Sequence, residues 1–134
     1  MPSVKWSDSY RIGIQEIDNQ HRLWFDLFND FAAKVEANDV KAFERALDRF
    51  IENTVCHLKT EESYFEQFGY PESASHKTQH QRFIDRLMDI KTRFQSGGFV
   101  SSNELIDSLK EWIIHHVLIS DRKYITCFKE HGLL

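Results

Sequence analysis

The chain is 134 residues long, which fits one compact domain with a substantial buried core. Its 17 basic and 21 acidic residues give a formal charge of -4 without a long run of either sign, which argues against a nucleic-acid-binding or anionic-membrane-binding surface. Aromatic residues make up 13% of the chain, whereas glycine (5) and proline (2) are scarce, so we expect an all-α fold with long helices.

No stretch of about 18 apolar residues occurs, and the N-terminal residues lack the apolar segment and cleavage site of a secretion signal. We therefore expect a cytoplasmic protein without membrane insertion.

The N-terminal segment, residues 1–18, shows no sustained helical period, and we interpret it as an ordered arm that lies on the rest of the domain. Side chains of core type then recur in alternating steps of four and three, as in a helix packed within a bundle. This pattern predicts a first helix over about residues 19–37, capped by Asp18 or Asn19. Its stripe consists of Ile17, His21, Trp24, Phe28, Phe31 and Val35.

The same stepping continues along a second and longer stripe. After a break at Asn38-Asp39 it predicts a helix over about residues 40–68, followed by a turn at Phe68-Gly69-Tyr70-Pro71. The stripe consists of Phe43, Leu47, Phe50, Thr54, His57, Glu61, Tyr64 and Phe68.

Two further stripes complete the pattern. A third helix is predicted over about residues 74–95 with a Ser73 or Ser75 cap, and a fourth over about residues 102–120 with a Ser101 or Ser102 cap. Four stripes joined by short loops predict a single domain, residues 1–134. Its expected fold is an antiparallel up-and-down four-helix bundle with an N-terminal arm and a short C-terminal helix or tail.

Polar side chains interrupt the stripes where leucine or phenylalanine is expected. Two pairs, His57 with Glu61 and His76 with His80, are spaced i, i+4, which places both members of each pair on one helix face. An unpaired imidazole or carboxylate in a core costs several kcal/mol, and a metal ion would supply the missing partner. The residues concerned are His21, His57, Glu61, His76, His80 and His116.

Asp121 is ambiguous from spacing alone. It lies five residues after His116, a rotation of about 140° on a regular α-helix, so it reaches the same face only if the helix widens into a π-bulge or ends there. Spacing alone therefore favours a polar residue near a helix end, beside Arg122 and Lys123. His115 and His131 are interpreted as solvated side chains, because His115 points about 100° away from His116 and His131 lies in the tail.

Five imidazoles and one or two carboxylates exceed what a single tetrahedral zinc ion uses, so we infer two metal ions that share bridging carboxylates. Imidazole and carboxylate ligands without thiolates favour iron over manganese, copper or zinc. Ferritin-like bundles use Glu-x-x-His pairs, and the ligand pairs of this chain do not have that form.

At these residues the chain resembles the hemerythrin family, and in particular its single-domain bacterial members, the bacteriohemerythrins. The resemblance covers nearly the whole chain and rests on four groups of residues. These are Trp6, Tyr10, Gly13 and Ile17-Asp18 leading to His21; HLKTEE from His57 to Glu62; Tyr70-Pro71 followed by His76 and His80; and Trp112 with His116 and Asp121.

The resemblance implies a ligand set. One iron would be held by His76, His80 and His116 and the other by His21 and His57, while Glu61 and Asp121 bridge both irons beside an oxo or hydroxo group. The iron with only two histidines keeps an open position, where the family binds dioxygen. The expected lining of that oxygen pocket is Leu58, Trp112, Ile113 and Val117.

The function implied is reversible dioxygen binding, used for oxygen transport, storage or delivery to an oxygen-consuming enzyme, by a protein that is not itself an enzyme. A monomer is expected. Two alternatives stay open: a di-iron enzyme with peroxidase, oxidase or nitric-oxide-handling activity, and an oxygen sensor. The sensor is less favoured because the sequence given contains no output module beyond the predicted domain.

Overall fold

The computed structural model describes residues 4–36, 39–97 and 103–133. Within these ranges the chain is helical and no strand occurs, and none of the helices there is both long and apolar enough to cross a membrane. The helices are α1 (Gln15–Glu36), α2 (Val40–Phe68), α3 (Ser73–Gln95), α4 (Asn103–His115) and a short α5 (Ile125–Glu130). A π-helical turn (His116–Ser120) and a 3₁₀ turn (Asp121–Tyr124) join α4 to α5, and a further 3₁₀ turn spans Asp8–Tyr10. The predicted four-helix bundle with a short C-terminal helix is confirmed.

Helix α1 begins at Gln15 and not at about residue 19. The carboxylate of Asp18 accepts the backbone N–H groups of Ile12 at 2.8 Å and Gly13 at 3.2 Å. Gly13 has a φ of 86°, a conformation that glycine adopts without steric cost. The predicted Asp18 or Asn19 cap is therefore wrong, because Asp18 lies inside the first turn and stabilises the backbone that precedes the helix.

The described part of the N-terminal segment lies against α1. Asn29 receives the backbone N–H of Val4 on its Oδ1 atom at 2.7 Å and donates its amide to the carbonyl of Val4 at 2.8 Å. The rings of Trp6 and Tyr10 pack edge-on against Phe25, with centroid distances of 5.5 and 5.0 Å. These contacts fix the segment to the outside of the helix that carries His21.

Helix α2 has the predicted bounds, because its two ends carry strong local signals. The carboxylate of Asp39 accepts the N–H of Ala42 at 3.1 Å at the start. At the end Gly69 adopts a left-handed φ of 64°, and the N–H of Tyr70 bonds to the carbonyl of Phe65 at 3.0 Å. The turn that follows is confirmed.

The predicted serine caps fare differently. Helix α3 begins at Ser73 after Glu72, and no side chain caps it, so the predicted Ser73 or Ser75 cap is wrong. The predicted cap of the fourth helix, Ser101 or Ser102, lies outside the described residues, as does Asn38 at the break before α2.

Two apolar clusters fill the bundle, and the polar side chains lie between them. The larger cluster includes Trp24, Phe28, Phe50 and Phe83, and the smaller one, closed by α5, includes Ile17, Phe65, Tyr124 and Phe128. Along α1, His21 follows Ile17 of the small cluster and precedes Trp24 of the large one. Helices α1 and α2 thus run from one apolar cluster to the other through a polar segment, whereas α3 contributes buried residues to the large cluster only.

Candidate metal centre

The seven side chains predicted as ligands converge in the interior of the bundle. Each is at most 3% exposed. Helix α1 supplies one, α2 and α3 supply two each, and the two turns that follow α4 supply one each. They are His21, His57, Glu61, His76, His80, His116 and Asp121.

Asp121 reaches the site because the helix widens after α4. The backbone N–H of Asp121 bonds to the carbonyl of His116, an i to i+5 bond that defines a π-helical turn. Asp121 therefore takes the place that residue 120 would have in a regular α-helix, on the same face as His116. Its Oδ1 atom lies 2.9 Å from Nε2 of His116 and 3.2 Å from Nε2 of His76, and its Oδ2 atom lies 2.9 Å from Nε2 of His21. One carboxylate thus contacts histidines from three elements.

Glu61 occupies the centre of the remaining imidazoles. Its Oε1 atom lies 3.1 Å from Nε2 of His57, 3.2 Å from Nε2 of His116 and 3.7 Å from Nε2 of His80. Asp121 therefore has imidazole nitrogens at both of its oxygens, whereas Glu61 has them at Oε1 and its buried Oε2 has no hydrogen bond among the described residues.

The ligand atoms form two groups that could each hold a metal ion, with the atoms of a group within 4.8 Å of one another. The first consists of Glu61, His76, His80 and His116, and the second of His21, His57, Glu61 and Asp121. Glu61 belongs to both. The first group contains three imidazoles and the second contains two, and their assignment as metal ligands stays a prediction.

The atoms that face the centre lack other partners. His57 Nε2, His80 Nε2 and Glu61 Oε2 are buried and have no hydrogen bond among the described residues. Native proteins rarely leave such atoms without a hydrogen bond, and all three can bind a divalent metal ion through a lone pair. The residues present therefore fit a metal centre.

Comparison with known proteins agrees with this geometry. The sequence profile described as the hemerythrin HHE cation binding domain matches residues 12–128. The chain belongs to the hemerythrin family. A bacteriohemerythrin of Stenotrophomonas maltophilia is 33% identical over 98% of this chain and 85% of its own length, and a hemerythrin-like protein of Naegleria gruberi is 32% identical over 89% of this chain and 88% of its own length. A wild-type hemerythrin crystal structure superimposes with a TM-score of 0.88 at 23% identity, covering 92% of this chain and 96% of that one.

The hemerythrin-type site of this chain contains two hydrogen-bond partners that the sequence pattern did not reveal. Nδ1 of His57 lies 2.7 Å from Oε1 of Gln20, and Nδ1 of His80 lies 2.9 Å from Oε2 of Glu62. Each partner stands beside a predicted ligand, Gln20 before His21 and Glu62 after Glu61, and this adjacency was the only available signal.

Two aromatic residues that border the hemerythrin-type site were also not predicted. Trp24 is fully buried against His57 at a centroid distance of 5.2 Å, and its indole N–H bonds to Thr54 Oγ1 at 2.8 Å. Tyr124 packs against His76 at 5.8 Å. Burial and the charges of Asp121 and Glu61 raise the pKa of Tyr124 well above its usual value.

Burial and charge act against each other at the candidate site. Burial lowers the pKa of His57, and it lowers the pKa of His80 to about 3. Burial also disfavours charge on His116, but Asp121 and Glu61 raise the pKa of that imidazole to about 10. Burial and Asp121 oppose the ionisation of Glu61, yet His57 and His116 lower its pKa to about 2. Two ionised carboxylates inside a closed pocket favour a cation between them.

The predicted oxygen-pocket residues lie around the same centre. Leu58, Ile113 and Val117 are fully buried. Trp112 is half-buried and stacks on His116 at a centroid distance of 4.7 Å and on Phe83 at 3.8 Å. A lining role for these residues stays a prediction. His115 is exposed on the outside of α4, as predicted, and His131 is exposed and stacks on Phe68.

Proposed function

We propose that this hemerythrin-family chain holds two iron ions and binds dioxygen reversibly, for oxygen transport, storage or delivery to an oxygen-consuming enzyme. The observation that carries the proposal is the division of the buried ligands into two groups that share Glu61. Under this proposal His76, His80 and His116 hold one ion, His21 and His57 hold the other, and Glu61 with Asp121 bridges the two. A pair of ferrous ions held by these residues would supply the electrons for dioxygen binding.

The unequal number of histidines in the two groups supports a specific position for dioxygen. The group with His21 and His57 contains one imidazole fewer than the group around His80. If Glu61 and Asp121 served both ions, the ion at His21 and His57 would have one protein ligand fewer than the other and could accept an external one. The proposal therefore places dioxygen at the two-histidine position.

Apolar packing around the histidines supports binding without further chemistry. Leu58 follows His57 directly and is fully buried, and Trp24 packs against both His57 and His21. Such surroundings exclude water from the two-histidine position and so oppose the loss of a reduced oxygen species to solvent. This is the physical reason for proposing a binding protein in preference to an enzyme.

The test is anaerobic reconstitution with ferrous iron, followed by dioxygen and then by removal of dioxygen under vacuum. We expect about two irons per chain, and a visible absorption band that appears with dioxygen and disappears on its removal. The His115→Ala variant serves as the matched control, because this exposed histidine is next to a ligand in sequence and outside the site. A band that never forms, or one that does not disappear when dioxygen is removed, contradicts reversible binding. Dioxygen consumption over many cycles in the presence of a reductant indicates a di-iron enzyme instead.

A further inference from the structure

The two imidazoles with side-chain partners at Nδ1 belong to different metal groups and have partners of different charge. His80, in the three-histidine group, faces the carboxylate of Glu62 at 2.9 Å. His57, in the two-histidine group, faces the amide oxygen of Gln20 at 2.7 Å. The two candidate metal positions therefore differ in the charge next to their ligands as well as in the ligands themselves.

The hydrogen-bond network fixes the direction of the Gln20 contact. Thr60 donates its hydroxyl proton to the carbonyl of Cys56 at 3.1 Å, so its oxygen accepts the Gln20 amide N–H at 3.3 Å. The amide oxygen of Gln20 then points at His57, whose Nδ1 must carry the proton. The Nε2 lone pair of His57 is left facing Glu61 and the metal group.

Glu62 fixes His80 in the same tautomer by a different means. An ionised carboxylate only accepts hydrogen bonds, so Nδ1 of His80 donates and its Nε2 lone pair faces the site. Glu62 also carries a charge that Gln20 does not, and a carboxylate at the far nitrogen of a ligating imidazole makes that imidazole a stronger electron donor to the metal. Glu62 is half-buried, at 28% side-chain exposure, so solvent screens this charge only in part.

We infer that Glu62 and Gln20 are positioning residues that make the two metal positions electronically unequal, with the ion beside His80 the more easily oxidised of the pair. This inference rests on the proposed di-iron function. The charge of Glu62 stabilises the ferric state at the three-histidine position, whereas the neutral amide of Gln20 leaves the two-histidine position without that stabilisation. The alternative is a purely mechanical role, because Gln20 ties α1 to α2 and Glu62 ties α2 to α3.

Exchange between amide and carboxylate separates the electronic role from the mechanical one. Glu62→Gln keeps an oxygen acceptor for His80 and removes the charge, and Gln20→Glu adds a charge beside His57. Glu66→Gln is the matched control on the same helix, because Glu66 is 72% exposed and bonds to Lys77 on the surface. Asn19→Asp is the control for Gln20→Glu, because Asn19 is the exposed neighbour of Gln20 in α1.

The first readout is the reduction potential of the iron-loaded protein, measured by spectroelectrochemistry. We expect Glu62→Gln to raise the potential of one iron by about 59 mV or more, the equivalent of a tenfold loss of preference for the ferric state in a one-electron couple. Gln20→Glu should lower the potential of the other iron. Both control variants should leave the potentials unchanged.

The second readout uses the zinc-loaded protein and needs no dioxygen. In ¹⁵N-edited NMR spectra the Nδ1–H proton of His80 should resonate further downfield than that of His57, and Glu62→Gln should bring the two together. The inference would be overturned if Glu62→Gln changed the reduction potential and the His80 resonance no more than Glu66→Gln does. Because zinc binds no dioxygen, a wild-type protein that fails to bind dioxygen but shows the expected resonances would contradict the proposed function alone.

Discussion

Removal of the metal is expected to lower the free energy of unfolding, because it leaves three buried polar atoms without a partner. With Nδ1 of His57 and of His80 donating to Gln20 and Glu62, both Nε2 lone pairs face the carboxylate of Glu61, which cannot donate to them. Glu61 Oε2 is a third buried acceptor without a donor. A buried polar atom without a partner costs about 1–3 kcal/mol, so the three together cost about 3–9 kcal/mol.

This cost is comparable to the whole stability of a typical domain, about 5–15 kcal/mol. For a chain of this length each kcal/mol moves the unfolding temperature by roughly 3–5 °C, so metal removal should lower it by at least about 10 °C. The assay is differential scanning calorimetry of the iron- or zinc-loaded protein before and after anaerobic treatment with a chelator. His115→Ala should show the same shift as the wild type, because His115 is exposed.

An unfolding temperature that changes by less than about 2 °C on metal removal would refute this reasoning. It would mean that water or a local rearrangement satisfies the three atoms, and that the metal centre is not coupled to the stability of the bundle.

Three further predictions concern particular side chains. His76→Ala should lose most of its bound iron, whereas His115→Ala should keep it, as measured by metal analysis after gel filtration; equal losses would contradict the ligand assignment. Thr54→Val should cost about 1–3 kcal/mol in urea unfolding, because the buried indole N–H of Trp24 loses its acceptor; an unchanged midpoint would show that another acceptor replaces it. The metal-free protein should be most stable near neutral pH, since the pKa of His80 is lowered to about 3 and that of His116 is raised to about 10. The unfolded state then binds the extra proton at His80 as pH falls below about 6.5, and the stabilisation from His116 is lost as pH rises towards about 10, which urea midpoints across pH would show.

The sequence predicted most of the bundle because the ligands replace core residues in a regular pattern. His57 and Glu61 could be paired on one helix face from their spacing alone, and the structure places both in the interior. The bounds of α2 were predictable because Asp39 and Gly69 are strong local signals at its ends. The start of α1 was not, because Asp18 has the side chain of a cap but bonds to backbone N–H groups that precede the helix.

Asp121 and the two hydrogen-bond partners of the histidines, Gln20 and Glu62, could not be placed from sequence spacing. A regular helix turns Asp121 away from His116, and only the π-helical turn brings it back. A π-helical turn depends on tertiary contacts, so from the sequence it was one of two alternatives, the other being a polar residue near a helix end. The contacts of Gln20 with His57 and of Glu62 with His80 join different helices, and their existence depends on helix packing.

The position of the centre between two apolar clusters links its stability to its chemistry. The large cluster around Phe50 and Phe83 and the small cluster around Phe65 and Phe128 hold the helices on both sides of the polar layer. Because the interior on either side is closely packed, the helices cannot move apart to let water reach the ligand atoms without disturbing one cluster. The same packing that makes the unpartnered atoms costly without metal therefore holds them in position to bind it, and α5 contributes to that packing through Phe128.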